Sequence, residues 1–170
     1  MGLLFVLGFA IYGLSVQLLF VLTAYFLLFV ISWIDFEHGV VPDSLTFAGV
    51  AIGLLGHFLF DRNGLLLSFS GLALALVLGF LIRILGRLAF KREAFGEGDI
   101  TTLSAVGALL GPDYVLVGLF LGSILGLIFV ILVLVLRKKV SETVKFCPFI
   151  ALSVLIYSIV APYHNLFYVF

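Results

Sequence analysis

The chain has 170 residues, nine Lys and Arg balanced by nine Asp and Glu, 64% hydrophobic residues and only 11% charged ones, with a mean hydropathy of +1.38. Such values lie far outside the soluble range and identify an integral membrane protein. Zero formal net charge, with the basic residues beside apolar runs, argues against a nucleic-acid partner, and continuous rather than alternating apolar runs argue against a β-barrel.

Breaks in hydrophobicity place apolar segments at 2 to 13, 17 to 35, 43 to 60, 64 to 89, 99 to 111, 113 to 137 and 146 to 168. The expected fold is an all-α membrane protein, a polytopic bundle of about six or seven transmembrane helices forming a single domain over 1–170. Runs from one end to the other are more than a removable signal peptide explains. A span needs roughly 20 residues at about 1.5 Å each, so the first segment is short, either partial or continuous with the second. The fifth, short and glycine-bearing, fits only inside the bundle. Eight of the nine basic residues fall in two connections, Arg83, Arg87, Lys91 and Arg92, then Arg137, Lys138, Lys139 and Lys145. By the positive-inside rule these face the cytoplasm, and the turns at Asp61–Gly64, Gly111–Asp113 and Pro162–Asn165 face outward.

Asp35 ends the second segment and Asp99 opens the fifth. A carboxylate costs roughly 2.5 to 3.5 kcal/mol at a bilayer centre and less toward the interface, so such residues usually persist for a job. Two crossings separate them, which puts both on the cytoplasmic side. Glycines four apart, Gly49 and Gly53, Gly107 and Gly111, and Gly118, Gly122 and Gly126, would let helices approach closely enough to bring them together.

Asp35 begins the polar stretch Asp35-Phe36-Glu37-His38-Gly39-Val40-Val41-Pro42-Asp43-Ser44-Leu45-Thr46. Its bland reading is a solvated loop, with Pro42 starting a turn and Asp43 or Ser44 capping the next helix. Glu37 and His38 read as wet surface, with binding of a charged substrate segment left open. Asp99 closes Phe95-Gly96-Glu97-Gly98-Asp99, a Gly-x-Gly-Asp motif. Gly96 and Gly98 permit backbone conformations closed to other residues and close approach of an extended peptide; the alternative is an N-capping Asp99 after a flexible loop. Glu97 reads as solvent-facing. Together the aspartates fit aspartyl hydrolysis, in which one carboxylate activates water while its protonated neighbour polarises a carbonyl. The helix dipole favours the anion on Asp99, at a helix start, over Asp35, at a helix end.

Other chemistries lack their residues. Cys147 is the single cysteine and reads as a small packing residue, His38, His57 and His164 are dispersed, and no His-Glu-x-x-His or phosphate-cradling loop occurs. Ser123 and Ser153 read as helix-packing hydroxyls. The same two aspartates could instead serve a proton- or cation-coupled small transporter, and an inactive scaffold subunit is a third reading.

At these motifs the chain resembles the type IV prepilin peptidases, which include archaeal preflagellin peptidases. The resemblance runs from about Gly13 onward. It rests on Asp35 through Thr46, on Phe95 through Asp99, and on Lys145-Phe146-Cys147-Pro148-Phe149-Ile150-Ala151, where Cys147 stands in place of a commoner glycine. A presenilin-like protease shares Gly-x-Gly-Asp, but Pro42-Asp43-Ser44-Leu45-Thr46 and the short length favour the prepilin branch. The resemblance implies that Asp35 and Asp99 are the catalytic pair. Gly96, Gly98, Glu97, Glu37, Asp43 and Pro42 would shape the site or bind substrate, the acidic ones by attracting leader lysines. It further implies cleavage of the short basic leader of prepilin-like precursors at the cytoplasmic face of a prokaryotic inner membrane. Many relatives add a cytoplasmic region with Cys-x-x-Cys pairs linked to N-methylation. With one cysteine and no room for that region, the expectation is peptidase activity without methylation, in a natural or shortened short form, with no metal or organic cofactor.

Overall fold

The computed structural model describes residues 6, 9, 13–60, 62–91, 95–136 and 145–160. Among the described residues six helices are bounded: α1 (Val16–His38), α2 (Asp43–Phe60), α3 (Arg62–Phe90), α4 (Glu97–Leu110), α5 (Pro112–Val135) and α6 (Cys147–Val160). No strand occurs among the described residues, so the fold is the expected all-α bundle. Three stretches, Leu18–His38, Gly64–Ala89 and Pro112–Val135, are long and apolar enough to cross a membrane; α2 and α6 are shorter apolar helices. Most of the first apolar segment, the turn residue Asp61, Arg92, Arg137 to Lys139 and the Pro162–Asn165 turn lie outside the described residues.

Local chemistry sets the helix ends. The Ser15 hydroxyl accepts the Leu18 N–H at 3.3 Å and starts α1. The helix does not stop where hydrophobicity stops, at residue 35, but three residues later. There Gly39 takes a left-handed conformation (φ 69°) and its N–H donates to Asp35 O at 2.8 Å. Glu37 and His38 are therefore helical, not loop. α2 is capped before the expected Asp43 or Ser44, at Pro42, whose carbonyl accepts the Leu45 and Thr46 N–H groups at 3.1 and 3.3 Å. Asp43 is thus its first helical residue, where a carboxylate suits the positive end of the dipole. Gly111 (φ 97°) is the joint between α4 and α5, followed by Pro112 in the first helical turn. It also keeps its expected role in packing, because its backbone lies against Gly71 of α3.

α4 touches each of the other five helices. Ile100 and every residue from Thr102 to Leu109 are buried, so the helix has no lipid face. Lipid supplies no hydrophobic drive for helix association, so close contact must come from small residues and hydrogen bonds. α3 carries buried small residues at Gly64, Ser68, Gly71, Ala75, Gly79 and Gly86, and Ser68, Gly71 and Gly79 among them meet α4. A Cβ on Gly71 would collide with the Gly107 carbonyl, one on Gly53 with the Ala108 carbonyl, and one on Gly49 would lie 3.0 Å from Ala105 Cβ. The buried Ser68 hydroxyl donates to Ala108 O at 2.6 Å. Gly118 and Gly126 face α6 at Ile150 and Phe149, and Gly122 faces Ile150 and Phe146 just before that helix. Phe58, Leu66, Phe69, Val77, Phe120 and Leu127 remain exposed on the outside, as lipid-facing side chains should.

Candidate active site

Asp35 lies in the last turn of α1 and is buried, 7% exposed. Its Oδ2 has no hydrogen-bond partner among the described residues. Asp99 is the third residue of α4, whose N-cap is Gly96 rather than Asp99. Its Oδ1 accepts the Cys147 thiol at 3.2 Å, and its Oδ2 folds back over Gly96, whose backbone N–H faces the carboxylate. This is the acidic half of a capping box, in which a third-position side chain satisfies the cap's own N–H.

The two aspartates come to the same end of the bundle. The Asp35 charge acts on Asp99, and both act on Cys147, which contacts Asp99 through its thiol and Asp35 through its backbone N–H. Cys147 is fully buried, opens α6, and receives further contacts from Thr102 Oγ1, 3.4 Å from its sulfur, and from the Ser32 hydroxyl, which donates to its carbonyl at 3.4 Å. It packs as expected, but it also bonds to the site.

Lys145, two residues earlier, donates from Nζ to the Phe36 carbonyl at 2.6 Å, lies 5.9 Å from the Phe36 ring centre, and stands within electrostatic reach of Asp35. It neutralises the exposed carbonyl end of α1. Sequence reasoning counted Lys145 only as loop charge. Its place in the Lys145–Ala151 segment, already marked by the resemblance, was the available signal. Thr102 was missed too, although it lies three residues after Asp99 and so shares its helix face.

The remaining candidates are spread around this centre. Gly96 has φ −72°, open to any residue, and Gly98 has no positive φ, so neither glycine is there for a special backbone angle. Gly98 is needed for space: an added Cβ would meet Val41 Cβ at 2.6 Å. The close approach expected of an extended peptide is made by the chain's own α1–α2 connection. Pro42, beside Val41, is half-buried. Glu97 faces solvent as expected and also pairs with Arg83 on α3 at 2.7 Å. Glu37 and Asp43 are exposed, and the only described partner of Glu37 is His38 Nδ1 at 4.0 Å, a weak surface contact. Among the described residues no group of three or more metal-ligating side chains occurs.

The model of the type IV leader peptidase family matches residues 22–131, more than half of the 170. The chain belongs to that family. It is 34% identical to a prepilin leader peptidase/N-methyltransferase of Legionella pneumophila over 149 residues, covering 85% of this chain and 51% of that protein. A protein of the same description from Pectobacterium carotovorum subsp. carotovorum is 32% identical, with 89% and 52% covered. One from Pseudomonas putida is 28% identical, with 84% and 50% covered. This leader peptidase family member thus spans about half the length of the curated relatives it matches. No solved structure matches it significantly.

Proposed function

We propose that this chain is an intramembrane aspartyl endopeptidase that removes the leader of prepilin-like precursors, with Asp35 and Asp99 as the catalytic pair. The observation that carries the reading is the buried, unpartnered Oδ2 of Asp35 beside a second carboxylate. An unpaired buried oxygen costs about 1 to 3 kcal/mol, and such costs are kept where a group has substrate to meet. Family membership and the names of the relatives supply the substrate class.

In this mechanism Asp99, pinned at the positive end of α4, is the general base and takes a proton from water. Protonated Asp35 donates to the scissile carbonyl as the water oxygen bonds to its carbon. Collapse of the tetrahedral intermediate breaks the C–N bond; the amine takes the proton held by Asp99, and the carbonyl re-forms as Asp35 recovers its own. The site faces the cytoplasm of a prokaryotic inner membrane, where a basic leader would be presented. Glu37 and Asp43 are exposed and would attract its lysines, whereas Glu97 is engaged by Arg83. With a single cysteine, this stretch has no Cys-x-x-Cys pair, so the proposal covers the peptidase activity alone.

Purified protein in liposomes, incubated with a prepilin-like precursor and read by mass spectrometry, tests the reading. Cleavage at one bond, abolished in Asp35→Asn and in Asp99→Asn, supports it. Retained cleavage in either variant sinks the dyad, and a proton flux without cleavage would favour a transporter.

A further inference from the structure

Cys147 is where the two aspartate-bearing helices meet α6. From α1 it receives Ser32 and Asp35, three residues apart on one face, and from α4 Asp99 and Thr102, likewise three apart. The sulfur has one proton to give. Since that proton goes to Asp99 Oδ1 at 3.2 Å, the Thr102 hydroxyl at 3.4 Å is left to donate to the sulfur. A directed chain results: Thr102 O–H to Cys147 sulfur, Cys147 S–H to Asp99. The other Asp99 oxygen is already held over Gly96. Both ends of the carboxylate thus have a protein partner, which restrains its orientation. The thiol is fully buried, which makes it a hydrogen-bond donor rather than an accessible nucleophile.

We propose that Cys147 is a positioning residue for the cleavage reaction: its thiol, oriented by Thr102, fixes Asp99 at the angle from which that carboxylate takes the proton of water. The role rests on the peptidase reading above. It acts on the chemical step and not on substrate binding, because the Cys147 thiol is fully buried and bonds to the Asp99 carboxylate itself.

Serine and alanine at position 147 are close in size and differ in the donor, so they separate bonding from packing. Cys147→Ala lowers kcat by about tenfold at unchanged KM, the order of one hydrogen bond to a charged group. Cys147→Ser restores kcat to within about twofold, and Thr102→Val lowers it by about threefold, with no further loss when combined with Cys147→Ala. Equal rates for the alanine and serine variants, additive losses in the double variant, or a change confined to KM would each overturn the proposal. Should Cys147→Ala not accumulate, Thr102→Val against Thr102→Ser makes the same comparison. Failure of the peptidase reading is told apart by Asp99→Asn, which must be inactive whatever the Cys147 variants do.

Discussion

A methyl group on Gly98 would sit 2.6 Å from Val41 Cβ, so the residue before Asp99 is glycine because the α1–α2 connection lies directly across it. Gly98→Ala must displace either that connection or the start of α4. The expected cost is about 1 to 3 kcal/mol, the range for overpacking a tight site. Val41→Gly removes the obstructing atom and should recover most of the loss in the double variant. Thermal unfolding in detergent, read as a double-mutant cycle, checks this; additive losses would show that Val41 is not the obstacle.

Two glycines of α3 should respond differently to the same substitution. A methyl on Gly71 meets backbone at Gly107 and Gly111, which cannot yield without separating α3 from α4. On Gly79 it meets only the Ile100 side chain, at 3.0 Å. Gly71→Ala should cost about 3 kcal/mol or more and Gly79→Ala about 1 kcal/mol or less, measured by chemical unfolding in mixed micelles. Equal costs would mean that α3 does not lie on α4 through Gly71.

Arg83 and Glu97 join α3 to the start of α4 at 2.7 Å, with side-chain exposures of 17% and 77%. So exposed a partner limits the pair to about 1 kcal/mol or less, and salt screens it. Glu97→Gln should lower stability slightly in low salt and not measurably near 1 M salt, where the screening length falls to about 3 Å. A cost that persists undiminished at high salt would point to packing instead of charge.

Lys145 holds the end of α1 through the Phe36 carbonyl, one residue beyond Asp35. Lys145→Met keeps the stem and deletes the ammonium, at an expected cost of about 0.3 to 1 kcal/mol, typical of a cation at a helix C-terminus. The last turn should loosen first. Hydrogen exchange at the Gly39 amide, which closes that turn on Asp35 O, should accelerate relative to amides near Ile31. Uniform acceleration along α1 would indicate global rather than local weakening.

Much of this architecture could be read in advance from apolar run lengths, because the interval between breaks is dictated by bilayer thickness and the breaks are Gly, Pro and charge. Segment 43 to 60 matches α2, and 64 to 89 nearly matches α3. The end of α1 was misjudged because hydropathy marks where lipid contact ends, whereas Gly39 marks where the helical hydrogen bonds end. Asp35 and Asp99 stood out because carboxylates are rare in apolar runs. Cys147, Thr102 and Lys145 did not, since a buried thiol, a helical hydroxyl and a loop lysine look the same in sequence whether or not another helix brings a carboxylate to them. The small-residue stripe of α3 from Gly64 to Gly79 was visible at intervals of three and four, but only the strictly four-spaced glycines were picked out.

The hub helix α4 is 14 residues long, about 21 Å at the helical rise, and from Thr102 to Leu109 it meets only protein. Outer helices such as α3 and α5 must tilt or draw lipid around them when acyl chains lengthen or shorten. α4 has no such obligation, because its height is fixed by carbonyls and glycines of its neighbours. The depth of Asp99 is thus set by the backbones packed around α4 and not by lipid contact along that helix.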